Sequence, residues 1–305
     1  MGKIAFVFSG QGAQYPGMGR ELAARSPAAR DVFAAADALR PGTSEQCFAA
    51  SMEELCETKN TQPCMFAVEL AAAAALREAG IPADLAAGFS LGELATLTFA
   101  GAMDFETGFS LVCRRAAHMQ KAAEARDTAM AAVLKLTPDA VRALCADFAE
   151  VYPVNFNCPG QITVSAASGQ MPAFLAAVKA AGGRAIPLKV RGGFHSPFMA
   201  EAATAFAADL AAAKLSVPAL PVYANRTAQP YGADVAGMLA GQIDHPVLWE
   251  DSVRAMIAAG ADTFLELGPG RTLCGLIAKT DASVRTFAAE KDEDFQKLTQ
   301  EVAPC

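Results

Sequence analysis

A serine framed by glycines, Gly88-Phe89-Ser90-Leu91-Gly92, is where residue types and spacing in this chain could first do chemistry. A serine hydroxyl is a poor nucleophile until it is placed and deprotonated. The short apolar run Leu85 to Phe89 precedes Ser90, and a helical stretch, Leu91 to Phe99, follows it. A sharp strand-to-helix turn of this kind exposes the hydroxyl, and the glycines give room where a Cβ would clash. The helix dipole and the free backbone N–H of Leu91 would then stabilise an oxyanion. The same five residues would also make an ordinary turn of small side chains.

A serine nucleophile needs a base, and the chain has three histidines. His195, in Gly192-Gly193-Phe194-His195-Ser196-Pro197, lies in a loop between a strand and a helix, where catalytic residues concentrate. His118 falls on a long helix, and His245, before Pro246, reads as a turn or helix-cap residue. The first turn, Ser9-Gly10-Gln11-Gly12, is either a second oxyanion donor or a tight loop that needs glycine for positive φ. Arg115 stands mid-helix beside Arg114. Most helix arginines are solvated, but a buried one facing the serine would clamp a carboxylate through two parallel hydrogen bonds.

The elements that must carry these residues follow from hydrophobic patterning. Lys3 to Phe8 reads as a buried parallel strand. Helices are expected around 17–38, at 64–79 with Thr61 as N-cap and Pro63 in the first turn, and at about 105–124. Between 127 and 191 the pattern becomes β-α-β-β-α-β, the order of a split βαβ, ferredoxin-like unit. Alternation then resumes: a helix at 199–213, a strand near 221–224, helices near 233–241 and 247–259, and a strand at 263–267 that runs into Gly268-Pro269-Gly270. The tail after about 290 is polar and reads as peripheral. The expected fold is α/β: an α/β-hydrolase-like large domain with a parallel sheet, residues 1–126 and 192–305, and an inserted ferredoxin-like subdomain, 127–191.

Composition narrows the function. With 305 residues, 53% of them hydrophobic, the chain can build a substantial core. A net charge of −7 argues against nucleic acid as a general partner, and anionic substrates would need local positive charge at the site. No apolar run has the length of a membrane span and the first residues lack a signal peptide's pattern, so a soluble cytoplasmic protein is expected. Eight cysteines without a Cys-x-x-Cys read as free buried thiols, and the three histidines lack metal-ligand spacing, so no metal site is expected.

Taken together the motifs resemble the malonyl-CoA:acyl carrier protein transacylase family, which includes acyltransferase domains of polyketide synthases. The resemblance rests on Phe6 to Gly12, Thr61-Gln62-Pro63, Gly88 to Glu93, Pro153 to Asn157, Pro159-Gly160-Gln161, Phe194 to Pro197, Pro246 to Trp249 and Glu266 to Gly270. It implies Ser90 as nucleophile, His195 as base, and the N–H groups of Gln11 and Leu91 as oxyanion hole. It places Arg115 on the malonyl carboxylate, with Phe194, Gln62 and Asn157 in the substrate pocket. The backbone carbonyl of Leu248 would orient the histidine, so no triad aspartate is needed. The implied partners are malonyl-CoA and an acyl carrier protein that brings its own phosphopantetheine; the implied protein has no bound cofactor and is a monomer. Departures are Phe89 where the family often has histidine, Ser9 for proline in the opening turn, and His245 where asparagine is common. Phe194 is similar to malonyl-selective members, which favours malonyl over methylmalonyl. Lys189, Arg191 and Arg271 are candidates for the positive surface that coenzyme A and the carrier protein require. A serine thioesterase or esterase is the alternative; it would share Ser90 and His195 and would normally place an Asp or Glu between them in the chain.

Overall fold

The computed structural model describes residues 2–190 and 192–302. The chain opens with strand β1 (Lys3–Phe8) and crosses helices α1 (Arg20–Arg25), α2 (Pro27–Leu39), α3 (Thr43–Ala49), α4 (Met52–Leu55) and α5 (Thr58–Glu78) before strand β2 (Leu85–Gly88). Helices α6 (Gly92–Phe99) and α7 (Phe105–Ala125) follow. A block of β3 (Thr128–Leu134), α8 (Pro138–Ala146), β4 (Val151–Cys158), β5 (Gln161–Ala167), α9 (Met171–Ala180) and β6 (Arg184–Pro187) comes next. The last third holds α10 (Ala200–Ala211), β7 (Val222–Tyr223), α11 (Val235–Ala240), α12 (Trp249–Ala258), β8 (Ala261–Leu267), α13 (Thr272–Thr280), β9 (Arg285–Ala289) and α14 (Asp292–Glu301).

Five strands form one parallel sheet in the order β7-β2-β1-β8-β9. Both of its faces are covered, which is why β1 is apolar at every position from Ile4 to Phe8. Phe6 and Phe8 point to one face and meet Phe99, with ring centroids 5.4 and 5.6 Å apart. Ala5 and Val7 point to the other, into a cluster with Phe264 and Trp249. Register sets Phe8 beside both Gly88 and Leu267. The residues just past β1, β2 and β8 therefore meet at the carboxyl edge of the sheet, where open α/β sheets hold their ligands.

The second sheet is antiparallel, in the order β4-β5-β3-β6, and with α8 and α9 it has the connectivity of a ferredoxin-like unit. Ala131, Val133 and Val164 pack against Val141, Phe174 and Val178 on one face. Met130, Asn155 and Thr163 on the other face look onto the cavity at the edge of the parallel sheet. A β-bridge between Asn155 and Val247 ties this sheet to the larger part.

Three local expectations change. Helix α5 starts at Thr58 after Glu57, so Thr61 is no cap; its hydroxyl instead donates to the carbonyls of Leu55 and Glu57, and Pro63 lies in the second turn. The segment after Asp281 adds an edge strand, β9, that hydrophobic alternation did not announce. The polar tail forms α14, which buries Phe295 and Leu298 along one stripe. The seven cysteines among the described residues are free thiols, and Cys305 lies outside them. Among the described residues no helix is long and apolar enough to cross a membrane.

Candidate active site

Ser90 sits between β2 and α6 with φ 55°, in the left-handed region that non-glycine residues seldom enter. The strain is held from both sides. The Ser90 N–H donates to Asn225 Oδ1 at 2.7 Å, and Asn225 Nδ2 donates to the Gly88 carbonyl at 2.6 Å. The flanking glycines are required by contact: a methyl group at Gly88 would run into the backbone of Gly92 and Glu93, and one at Gly92 into the carbonyls of Phe8 and Ser9. No side chain yields in either case. Gly88→Ala is expected to cost at least about 4 kcal/mol, a fall in Tm of roughly 6 °C or more, measurable by thermal denaturation.

The Ser90 hydroxyl is 2.7 Å from His195 Nε2. His195 also adopts a left-handed conformation, φ 60°, and is 3% exposed. Its Nδ1 lies 3.0 Å from the Gln242 carbonyl. A carbonyl only accepts, so Nδ1 carries the proton and Nε2 is left as the acceptor for the serine O–H. Burial, and secondarily the positive charge of Arg115, push the imidazole down to about 4, so it is neutral at pH 7 and fit to act as a base. The carbonyl that orients the ring is thus Gln242 and not Leu248. Leu248 precedes α12, and its carbonyl is committed to the first turn, accepting from Ser252 N at 3.0 Å and Ser252 Oγ at 2.9 Å.

Arg115 is carried by α7 into the same centre and is 1% exposed. Nη1 donates to Gln62 Oε1 at 2.7 Å; Nη2 donates to Gln242 Oε1 at 2.7 Å and to Ser90 Oγ at 3.2 Å. Nε has no protein acceptor. Among the described residues this buried cation has no carboxylate within ion-pair distance. Burial first lowers its proton affinity, to about 10, which leaves it charged at neutral pH.

The Gln11 and Leu91 amides meet no protein acceptor among the described residues, and Gln11 lines the same cavity as Ser90. The loop that carries Gln11 is pinned by Ser9, whose N–H and hydroxyl both donate to the Leu267 carbonyl, at 3.1 and 3.0 Å. A cavity of about 100 Å³ opens over these groups, walled by Gln11, Phe89, Ser90, His195, Phe194 and Met119 from the larger part and by Met130, Asn155 and Thr163 from the second sheet. Phe89 is wedged against Trp249, centroids 5.4 Å apart, which fills the space behind the elbow with an apolar ring. Gln62 does not line the cavity; it accepts from Arg115, which reaches the cavity wall through its contact with Ser90 Oγ. Asn155 lines the wall where Asn157 was expected; Asn157 is instead turned to Thr163, donating to its hydroxyl at 3.2 Å. The His118 side chain pairs with Asp209 at 2.8 Å and that of His245 with Asp244 at 2.7 Å, so neither imidazole is bonded to the serine. Of the candidate surface cations, Arg271 is committed to Asp294, Lys189 is exposed beside the cavity residues Leu188 and Val190, and Arg191 lies outside the described residues.

Four residues of the centre carried no local signal: Asn225, Gln242 and Tyr231 in loops, and Glu93 as one more charge at a helix start. Glu93 is fully buried, and its oxygens accept from Tyr231 Oη at 2.6 Å, Gln242 Nε2 at 2.6 Å and Asn225 N at 3.1 Å. Burial lifts its carboxyl to about 7 against those hydrogen bonds and the Arg115 charge.

Such a centre can take an acyl group onto serine and hold a carboxylate on the acyl chain. A family model described as the acyl transferase domain matches residues 5–296. A malonyl CoA-acyl carrier protein transacylase of Bacillus subtilis is 38% identical over 98% of this chain and 97% of its own. The crystal structure of a malonyl CoA-acyl carrier protein transacylase from Clostridium perfringens superposes with a TM-score of 0.95 at 31% identity, covering 98% of this chain and 97% of that one. A malonyl-transacylase in complex with its type II polyketide synthase acyl-carrier protein superposes with a TM-score of 0.94 at 31% identity, over 98% and 99% of the two chains. Matched from the first strand to the last helix, in sequence and in fold, the chain belongs to the acyl transferase family.

Proposed function

We propose that the protein moves a malonyl group from coenzyme A to the phosphopantetheine thiol of an acyl carrier protein, by way of malonyl-Ser90. The observation that carries this reading is Arg115: a buried guanidinium, short of an anion, 3.2 Å from the nucleophilic oxygen. Neutral His195 takes the Ser90 proton as Oγ attacks the thioester carbonyl. The resulting oxyanion is met by the N–H groups of Gln11 and Leu91. The C–S bond breaks, the imidazolium returns its proton to the coenzyme A thiolate, and malonyl-Ser90 remains. The carrier-protein thiol then gives its proton to His195 and attacks, and Ser90 is regenerated. Arg115 grips the malonyl carboxylate throughout, so only the acyl carbon is presented to each nucleophile. The chemistry uses this chain's own residues, with coenzyme A and the carrier protein as substrates.

Hydrolysis would use the same serine and histidine, but the group on His195 Nδ1 is a backbone carbonyl where hydrolases of this motif use an acid. The test is intact-protein mass after brief mixing with malonyl-CoA. A malonyl-sized adduct is expected on the wild type, absent from Ser90→Ala and discharged by holo carrier protein. Free coenzyme A accumulating without an adduct, or an adduct that water clears as fast as the carrier protein does, would overturn transfer.

A further inference from the structure

Gln242 touches each part of the centre. Its backbone carbonyl faces His195 Nδ1, its Oε1 accepts from Arg115, and its Nε2 donates to the Ser90 carbonyl at 2.6 Å. A side-chain amide has one accepting end and one donating end, and these exchange when it flips. Arg115 has only donors, so it tolerates only the accepting end. The carbonyl of Ser90 has only lone pairs, so it tolerates only the donating end. On the far side, Glu93 Oε2 takes the same Nε2 at 2.6 Å.

We propose that Glu93 is a positioning residue for the carboxylate clamp: its acceptor oxygen fixes the Gln242 amide, and the amide in turn aims Arg115 at the malonyl carboxylate. This rests on the reading of Arg115 given above. Glu93 is itself located by donors from two other segments, the Tyr231 hydroxyl and the Asn225 N–H, so the amide is set against a fixed reference. Through the Gln242 amide, Glu93 is also the buried carboxyl linked to Arg115. Its place, three residues after the nucleophile at the start of α6, gives the strand-to-helix turn a second task besides exposing Ser90.

Glu93→Gln keeps the shape and reverses the chemistry at one atom. If its oxygen stays with Tyr231 and Asn225, its new NH₂ faces the NH₂ of Gln242. The amide of Gln242 then flips, turning a donor toward Arg115 and an oxygen toward the Ser90 carbonyl. The loss falls on substrates that need Arg115. Initial rates of Ser90 labelling by malonyl-CoA and by acetyl-CoA read this directly, because acetyl carries no carboxylate. In Glu93→Gln the malonyl rate is expected to fall about tenfold or more beyond any fall in the acetyl rate, with the loss in malonyl KM larger than that in kcat. A variant that merely loosens the elbow lowers both rates alike, and that outcome overturns the proposal. Arg115→Ala in the same assay separates two failures. A malonyl-to-acetyl ratio unmoved by Arg115→Ala sinks the clamp and this proposal with it; a ratio moved by Arg115→Ala and unmoved by Glu93→Gln overturns the proposal alone. Should Glu93→Gln fail to fold, Gln242→Met cuts the relay while keeping the backbone carbonyl on His195. It is expected to lower the same ratio about tenfold, and an unchanged ratio overturns the proposal.

Discussion

Arg115→Ala is expected to cost malonyl labelling of Ser90 roughly 10²- to 10⁴-fold while leaving acetyl labelling at or above its wild-type rate, so that the order of the two substrates reverses. The argument starts from solvation. A guanidinium that is 1% exposed has given up water on every side, and its protein partners, Gln62, Gln242 and Ser90, are neutral. An incoming carboxylate is the partner that repays this desolvation, through charge-assisted bonds to donors already held in place. Removing one member of such a buried pair costs about 3–5 kcal/mol, since the other charge is then left without compensation. Alanine leaves a malonyl carboxylate without its counter-charge, whereas an acetyl group brings only a methyl and has no charge to leave unpaired. The measurement is kcat/KM for each thioester, taken with the carrier protein saturating. Malonyl preference surviving in Arg115→Ala would assign the carboxylate to another group.

How far such a site could be read from the chain depends on whether its residues act locally. The elbow is local: glycines on either side of Ser90, an apolar strand before and a helix after are each visible within a dozen residues. The alternation of strand and helix that gives both sheets is local in the same sense. The clamp is different. Nothing near Arg115 says whether it faces water or the core, and that is settled only when α7 packs beside α5 and brings Gln62 to it. The carbonyl that orients His195 belongs to Gln242, six residues before Leu248, for a related reason. Any backbone carbonyl in the loop between α11 and α12 has the right chemistry, so residue type carries no information about which one is used. Leu248 is excluded only once its carbonyl is seen bonded into α12. Asn225, Gln242 and Glu93 form one polar knot from three distant segments, and only tertiary structure joins them. Strand β9 leaves little local signal because a short edge strand has weak alternation and takes its order from pairing with β8.

His195→Ala is expected to slow the acylation of Ser90 by about 10²- to 10⁴-fold, the range a positioned general base contributes. The wild type carries a pH signature that identifies the same residue. Neutral imidazole is the active form, so kcat/KM should hold through neutral pH and fall only as pH drops toward about 4, where the buried ring takes a proton. Burial sets most of that lowering and Arg115 adds to it. Once a malonyl carboxylate lies against Arg115, the second influence is offset, and the acid limb of kcat should sit higher in pH than that of kcat/KM. Stability follows from the same shift. The unfolded chain protonates this histidine near its ordinary value of about 6.5, and the folded chain does not until lower pH, so the unfolded state binds the extra proton in between. His195 therefore withdraws stability as pH falls from about 6.5 toward 4. In His195→Gln, which cannot ionise, the decline of Tm over that window should be shallower than in the wild type. Parallel declines would mean that His195 is solvated and already charged in the folded protein, a state in which it could not deprotonate Ser90.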